Sequence, residues 1–236
     1  DSMFRSVIAS FILCWGLSVY GYAAPKAEEG KYCIEGDTAV VCISFPDERI
    51  VHVQVYPKGN VGIRRSLVVD ESRFDFNRWK VLKNRQSIVL RTNVLQVEYD
   101  RVTGTLTFID RQRGEKILSE ASRSFAPEEM AGDKAWRVRQ EFLLTPEEAI
   151  YGLGQFQEGV FNYRGHQVNL VHANREIANP VLLSSQNYLL YWDNYSKTIF
   201  EEKEGKVSLH SEMGDGIDYY LVYGKDMNDA IVGFRH

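Results

Sequence analysis

From Thr38 onward the chain repeats one pattern, in which short runs of β-branched and aromatic residues are separated by turn residues. Val40–Phe45 ends at Pro46-Asp47, and Ile50–Tyr56 ends at Pro57-Lys58-Gly59-Asn60. The second run alternates with the period of a strand: Val51, Val53 and Val55 share one face, and Ile50, His52, Gln54 and Tyr56 share the other. One face is apolar, so the other meets solvent or polar neighbours. Ser87–Arg91, Val94–Tyr99 and Leu106–Ile109 follow, the last two joined across Thr103-Gly104, a hairpin signature. Arg113-Gly114 marks another turn, and Ala135–Leu143 alternates again. Helix signals are few. Thr145-Pro146-Glu147-Glu148 offers an N-cap and a first-turn proline, and Lys225–His236 is the other candidate. About fifteen strand-like segments and one or two short helices predict one all-β domain, a large antiparallel β-sandwich. A parallel α/β fold is disfavoured because helices do not alternate with strands.

The N-terminal stretch predicts a different role. Met3-Phe4-Arg5-Ser6 carries one positive charge, Val7–Tyr20 is largely apolar, and Gly21-Tyr22-Ala23 places small residues at −3 and −1 of a cut after Ala23. Residues 1–23 therefore read as a secretory signal peptide, with Asp1 and Ser2 as additions ahead of the start Met3. The apolar run falls short of the roughly 20 residues of a comfortable membrane span, so no stable span is expected. An uncleaved anchor or a buried N-terminal segment is the alternative. The expectation is an exported domain, 24–236, in a periplasmic or extracellular space. Two cysteines remain after the cut. If Gly36-Asp37 is a two-residue turn, Cys33 faces Val40 rather than Cys42, and the pair is expected as two thiols packed in strands. Export would nevertheless permit a disulfide.

Composition narrows the function classes. The 236 residues are 44% hydrophobic and 25% charged, enough for a real core, and 28 Lys plus Arg against 32 Asp plus Glu leave a net charge of −4. That balance lacks the basic excess nucleic acid requires. The 13 Tyr, 12 Phe and 4 Trp suit a β core and equally a sugar-stacking surface. The five histidines form no metal-binding spacing, and there is no cysteine cluster, so no metal is predicted. No phosphate loop or G-x-S-x-G elbow occurs, and the glycines of Gly152–Gly159 are misplaced for a dinucleotide fingerprint; no cofactor is expected. His166 and His172 could serve as acid and base in a sugar-epimerising site, but their spacing gives no reason to converge, and ordinary surface positions are the plainer expectation.

One segment is more specific. Tyr151-Gly152-Leu153-Gly154-Gln155, then Gln157-Glu158-Gly159, Asn162-Tyr163-Arg164-Gly165, Asn174, Pro180, Ser184-Ser185, Tyr188 and Trp192-Asp193-Asn194 resemble the N-terminal sandwich of glycoside hydrolase family 31. Within that family the run looks most like the α-xylosidase branch that trims xyloglucan. Ile217–Gly224 and the following helix resemble the end of the same domain. The resemblance implies a galactose mutarotase-like supersandwich. It also implies that a (β/α)8 barrel bearing both catalytic aspartates would begin after His236, so that this chain holds no catalytic residue and is inactive alone. Asp226-Met227-Asn228-Asp229 looks like the family's nucleophile run, but Gly224-Lys225 precedes it and Ala230-Ile231-Val232 follows, which reads as a helix N-cap.

The resemblance further implies that the polar stretch His172–Asn179 reaches the rim of the barrel's site. Asn174, Arg175 and Glu176 would then offer donors and acceptors to sugar hydroxyls. Related enzymes often place an aspartate near Glu176. From the residues alone, a solvated connection is the competing reading. Phe156, Phe161 and Tyr163 are candidates to stack on a leaving-group sugar, or all to pack in the core. Asn162, Arg164 and Gly165 are expected to fix a tight turn. Asn194-Tyr195-Ser196 is a formal glycosylation sequon. The implied role is the supporting domain of an exported α-glycosidase, with an oligosaccharide substrate and its own barrel as partners. A free-standing carbohydrate-binding module and a mutarotase-like epimerase are the alternatives.

Overall fold

The computed structural model describes residues 30–235, apart from 61, 131–132, 158 and 173–176. The expected signal peptide lies outside the described residues, as do Asn174, Arg175 and Glu176. The strands are β1 (Lys31–Glu35), β2 (Ala39–Asp47), β3 (Ile50–Pro57), β4 (Lys80–Lys83), β5 (Ser87–Arg91), β6 (Leu95–Asp100), β7 (Leu106–Asp110) and β8 (Lys116–Met130). They continue as β9 (Asp133–Leu143), β10 (Ile150–Gln155), β11 (Gln167–Leu170), β12 (Ile177–Ser184), β13 (Tyr188–Trp192), β14 (Thr198–Lys203), β15 (Lys206–Gly214) and β16 (Ile217–Tyr223), before helix α1 (Met227–Phe234). One seven-stranded sheet has the order β1-β2-β3-β16-β13-β12-β10, and a nine-stranded sheet the order β11-β14-β15-β9-β8-β7-β6-β5-β4. Neighbouring strands pair antiparallel, and the two sheets form a sandwich, as the alternation predicted.

The core lies between the sheets. Val51, Val53 and Val55 of β3 and Ile217, Tyr219 and Leu221 of β16 turn inward and are fully buried. Tyr219 meets Phe142 and Phe108 of the opposite sheet edge-on, with ring centroids 5.3 and 6.4 Å away. Its hydroxyl donates to Glu120 Oε1 at 2.7 Å, so a buried polar tip finds a partner across the core. Each fully buried large side chain of this kind contributes roughly 1.5–3 kcal/mol of transfer free energy. A second apolar cluster sits on the outer face of the seven-stranded sheet, where Leu189, Tyr191, Tyr220 and Val222 pack against Ala230 of α1.

Local expectations fare unequally. Asp226 caps α1 by accepting the Asp229 N–H at 2.8 Å, and Asp229 takes the Lys225 N–H at 2.9 Å, so this run is a helix start. The thiol expectation is overturned, because Cys33 and Cys42 form a disulfide. The turn sits one residue further along than Gly36-Asp37. The Gly36 N–H donates to the Ala39 carbonyl at 2.9 Å across Asp37-Thr38, Glu35 pairs with Val40, and Cys33 therefore stands directly opposite Cys42. Thr145–Glu148 does not become a helical turn. Its N–H and hydroxyl bond the Glu148 carboxylate, whose other oxygen is held by Ser184 and Tyr188, and this closes an isolated turn. The polar face of β3 meets neighbours rather than water, since His52 and Gln54 are buried.

Candidate functional site

Most of the described residues singled out by motif gather toward one edge of the sandwich. β10 ends the seven-stranded sheet, β11 ends the nine-stranded sheet, and the chain crosses from β11 to β12 at that side. The crossing is shorter than the eight polar residues expected, because Ile177 and Ala178 already pair with Gln155 and Gly154. β10 is bulged between Gly152 and Gly154. Gly152, Leu153 and Gly154 have φ of +98°, +64° and +117°. A Cβ on Gly154 would stand 1.9 Å from the Ile177 carbonyl oxygen, and one on Gly152 2.6 Å from that of Val181. Only glycine lets the β10 and β12 backbones approach this closely. Leu153, the one side chain in the bulge, is driven into the core.

The turn that follows is pinned to β10. Asn162 Oδ1 accepts the Ile150 N–H at 3.0 Å and the Arg164 N–H at 3.2 Å, while the Tyr163 N–H donates to the Ile150 carbonyl at 2.8 Å. Arg164 bonds the Thr145 carbonyl at 3.2 Å and lies 3.6 Å from Glu202, and Gly165 turns with φ +72°. Of the three candidate aromatics, Tyr163 is buried, Phe156 packs partly against the core, and Phe161 is 80% exposed. Glu148, buried, gathers Ser184, Tyr188 and Thr145 at the base of the edge. Burial first, and Glu148 second, push the Tyr188 hydroxyl well above its usual range, so it stays a donor.

The opposite, outer face of the seven-stranded sheet holds what the sequence pattern did not disclose. His52 Nε2 lies 2.7 Å from Asp218 Oδ1, Gln54 donates to Asp218 Oδ2 at 2.8 Å, and the His52 ring stacks on Tyr220 at 4.0 Å. The irregular 62–79 segment crosses this face. It is fastened by Arg64 to Asp215, by Leu67 N–H to the Tyr195 hydroxyl at 2.6 Å, and by Phe74 against Tyr220. Between that segment and α1 opens a groove of about 720 Å³, lined by Phe74, Tyr191, Tyr220, Val232 and Phe234, with Arg73 and Asp229 among its charged residues. Val232 and Phe234 are exposed, whereas Ile231 packs on the sheet.

A sandwich of this topology, with a glycine-bulged edge strand beside the β11–β12 crossing, matches a known domain. Residues 40–201 fit the model of the glycosyl hydrolase 31 N-terminal galactose mutarotase-like domain. The chain belongs to this family. An α-xylosidase of Saccharolobus solfataricus is 29% identical over 202 residues, which cover 82% of the chain and 27% of that relative. The solved family 31 α-xylosidase of Xanthomonas citri is 32% identical, with a TM-score of 0.67 over 75% of the chain and 20% of its own. A family 31 dextranase of Flavobacterium johnsoniae, solved with isomaltotriose, shares the fold at 19% identity and a TM-score of 0.71, covering 86% of the chain and 26% of its own. The chain thus spans about a quarter of the length of these relatives.

In this family 31 domain most of the diagnostic residues build the edge. Trp192 is fully buried and its indole N–H donates to Ser211 at 2.9 Å, while the Tyr191 hydroxyl reaches Asp193 at 3.1 Å. Asn194 is half-buried and closes a turn. Its Nδ2 donates to the Met213 carbonyl at 3.0 Å and its Oδ1 accepts from Ser196, so the sequon nitrogen is already engaged and packed against Gly214. His166 and His172 are both exposed, and His166 Nδ1 lies 2.7 Å from the Arg164 carbonyl oxygen rather than a carboxylate. The sequence reading missed the Glu148 hub and the outer-face groove. Two glycines flanking one leucine were the available signal for the bulge.

Proposed function

We propose that this chain is the non-catalytic N-terminal domain of an exported α-glycosidase, with α-xylosidase the favoured activity of the whole enzyme. The carrying observation is coverage: the likeness to the Saccharolobus α-xylosidase takes in 82% of this chain but only 27% of that relative, the share expected of a supporting sandwich. Under this reading a (β/α)8 barrel supplies both carboxyl groups of retaining hydrolysis. The sandwich shapes the substrate site through the β11–β12 crossing, where Asn174, Arg175 and Glu176 meet sugar hydroxyls. The Cys33–Cys42 disulfide supports an oxidising, exported location, in keeping with the apolar leader. The groove beside α1 is the surface on which the barrel rests.

The test is to incubate residues 24–236 with xyloglucan oligosaccharides and assay xylose, with calorimetric titration alongside. No xylose and no binding tighter than millimolar is expected. Release of xylose would place the catalytic acids within this chain and overturn the reading. Tight binding would instead favour a free-standing carbohydrate-binding module.

A further inference from the structure

We propose that Phe161, backed by Tyr151, is a stacking platform for one pyranose ring of a bound oligosaccharide, and so sets a preference for oligosaccharides over single sugars. The inference rests on the function proposed above and adds a specificity residue to it. A single exposed apolar side chain is ordinary on a protein surface. Phe161 differs because its position is fixed. The residues after it are pinned to β10 through Asn162 and Tyr163, and its ring leans on Tyr151 with centroids 4.9 Å apart at 49°. The ring is nonetheless 80% exposed, while Tyr163, two residues on, is buried.

An aromatic held this way loses little conformational freedom when a ligand lands on it. Its open face suits the C–H face of a pyranose, whose hydroxyls remain at the rim in water. The setting adds direction. The bulge of Gly152, Leu153 and Gly154 lies between Tyr151 and Gln155, and Gln155 pairs with Ile177, itself 59% exposed. Bulges are enriched beside functional sites, where they re-aim a strand edge. An oligosaccharide stacked on Phe161 has the rest of this edge, toward the exposed Ile177, to run along, and a single sugar makes no use of it.

The experiment is aromatic-resolved NMR of residues 24–236, titrated with xyloglucan oligosaccharides and, separately, with xylose. The Phe161 and Tyr151 ring signals should shift saturably at millimolar oligosaccharide and respond at least about tenfold more weakly to xylose. Phe161→Ala, which folds normally because the side chain is exposed, should abolish the response, and Phe161→Trp should restore it. Ring signals that stay unmoved would overturn the platform, as would shifts that persist in Phe161→Ala. Xylose release by this chain is read in a separate assay, so failure of the underlying function and failure of the platform give different results.

Discussion

His210 sits across from Arg139 in the β15–β9 ladder, and burial, then Arg139 and Arg137, lower its pKa below 6.5. The unfolded chain consequently takes up this proton first as the pH falls. The contribution to stability is complete above 6.5 and is lost as the pH drops toward the folded-state value. His210→Gln should flatten the stability–pH curve below 6.5 in urea titrations, with little change at pH 8. A steeper acid decline in the variant would refute the assignment. Gly154 makes a sharper case. With φ +117° and a would-be Cβ 1.9 Å from a carbonyl oxygen, Gly154→Ala should cost at least about 2 kcal/mol, read by chemical denaturation. Loss of amide protection should centre on β10 and β12.

At the scale of elements, the β1–β2 hairpin is an edge fastened by a covalent cross-link. The bridge joins residues nine apart in sequence, and closing so short a loop limits the unfolded chain by about 2–3 kcal/mol. Reductant should therefore lower the thermal midpoint of the wild-type chain and leave a Cys33→Ala/Cys42→Ala variant unmoved. Equal shifts in both would show that the bridge does not carry the difference. β1 matters beyond its own pairing, because Lys31 donates to Gln54 at 2.9 Å and lies 3.9 Å from Glu71 of the crossing segment. Hydrogen exchange in residues 62–79 should accordingly rise when the bridge is reduced.

For the whole molecule, the sandwich leaves an apolar groove on the outer face beside α1, away from the bulged edge. Phe74, Val232 and Phe234 are each between 37% and 42% exposed there, and Val68 is 67% exposed. Contiguous exposure of this kind is what a neighbouring domain would cover under the function proposed above. The isolated chain should bind a hydrophobic dye at this groove, and Val232→Ser/Phe234→Ser should reduce that fluorescence several-fold without altering the far-ultraviolet spectrum. Unchanged fluorescence would show that the groove is not where the dye binds.

What the sequence determined by itself is whatever its local pattern carries. Alternation in Ile50–Tyr56 and Ala135–Leu143 specified strands, Asp226 and Asp229 specified a helix start, and the Tyr151–Asn194 motifs specified the family and its edge. Tertiary structure decided everything that depends on a distant partner. His52 and Gln54 are buried because Asp218, 166 residues beyond His52, brings a carboxylate to meet them. Thr145 fails to start a helix because Ser184 and Tyr188 draw Glu148 into the sheet, and β12 begins at Ile177 because β10 is there to pair with it. Backbone and buried polar groups must find partners, and where those partners lie far along the chain, only the fold brings them together.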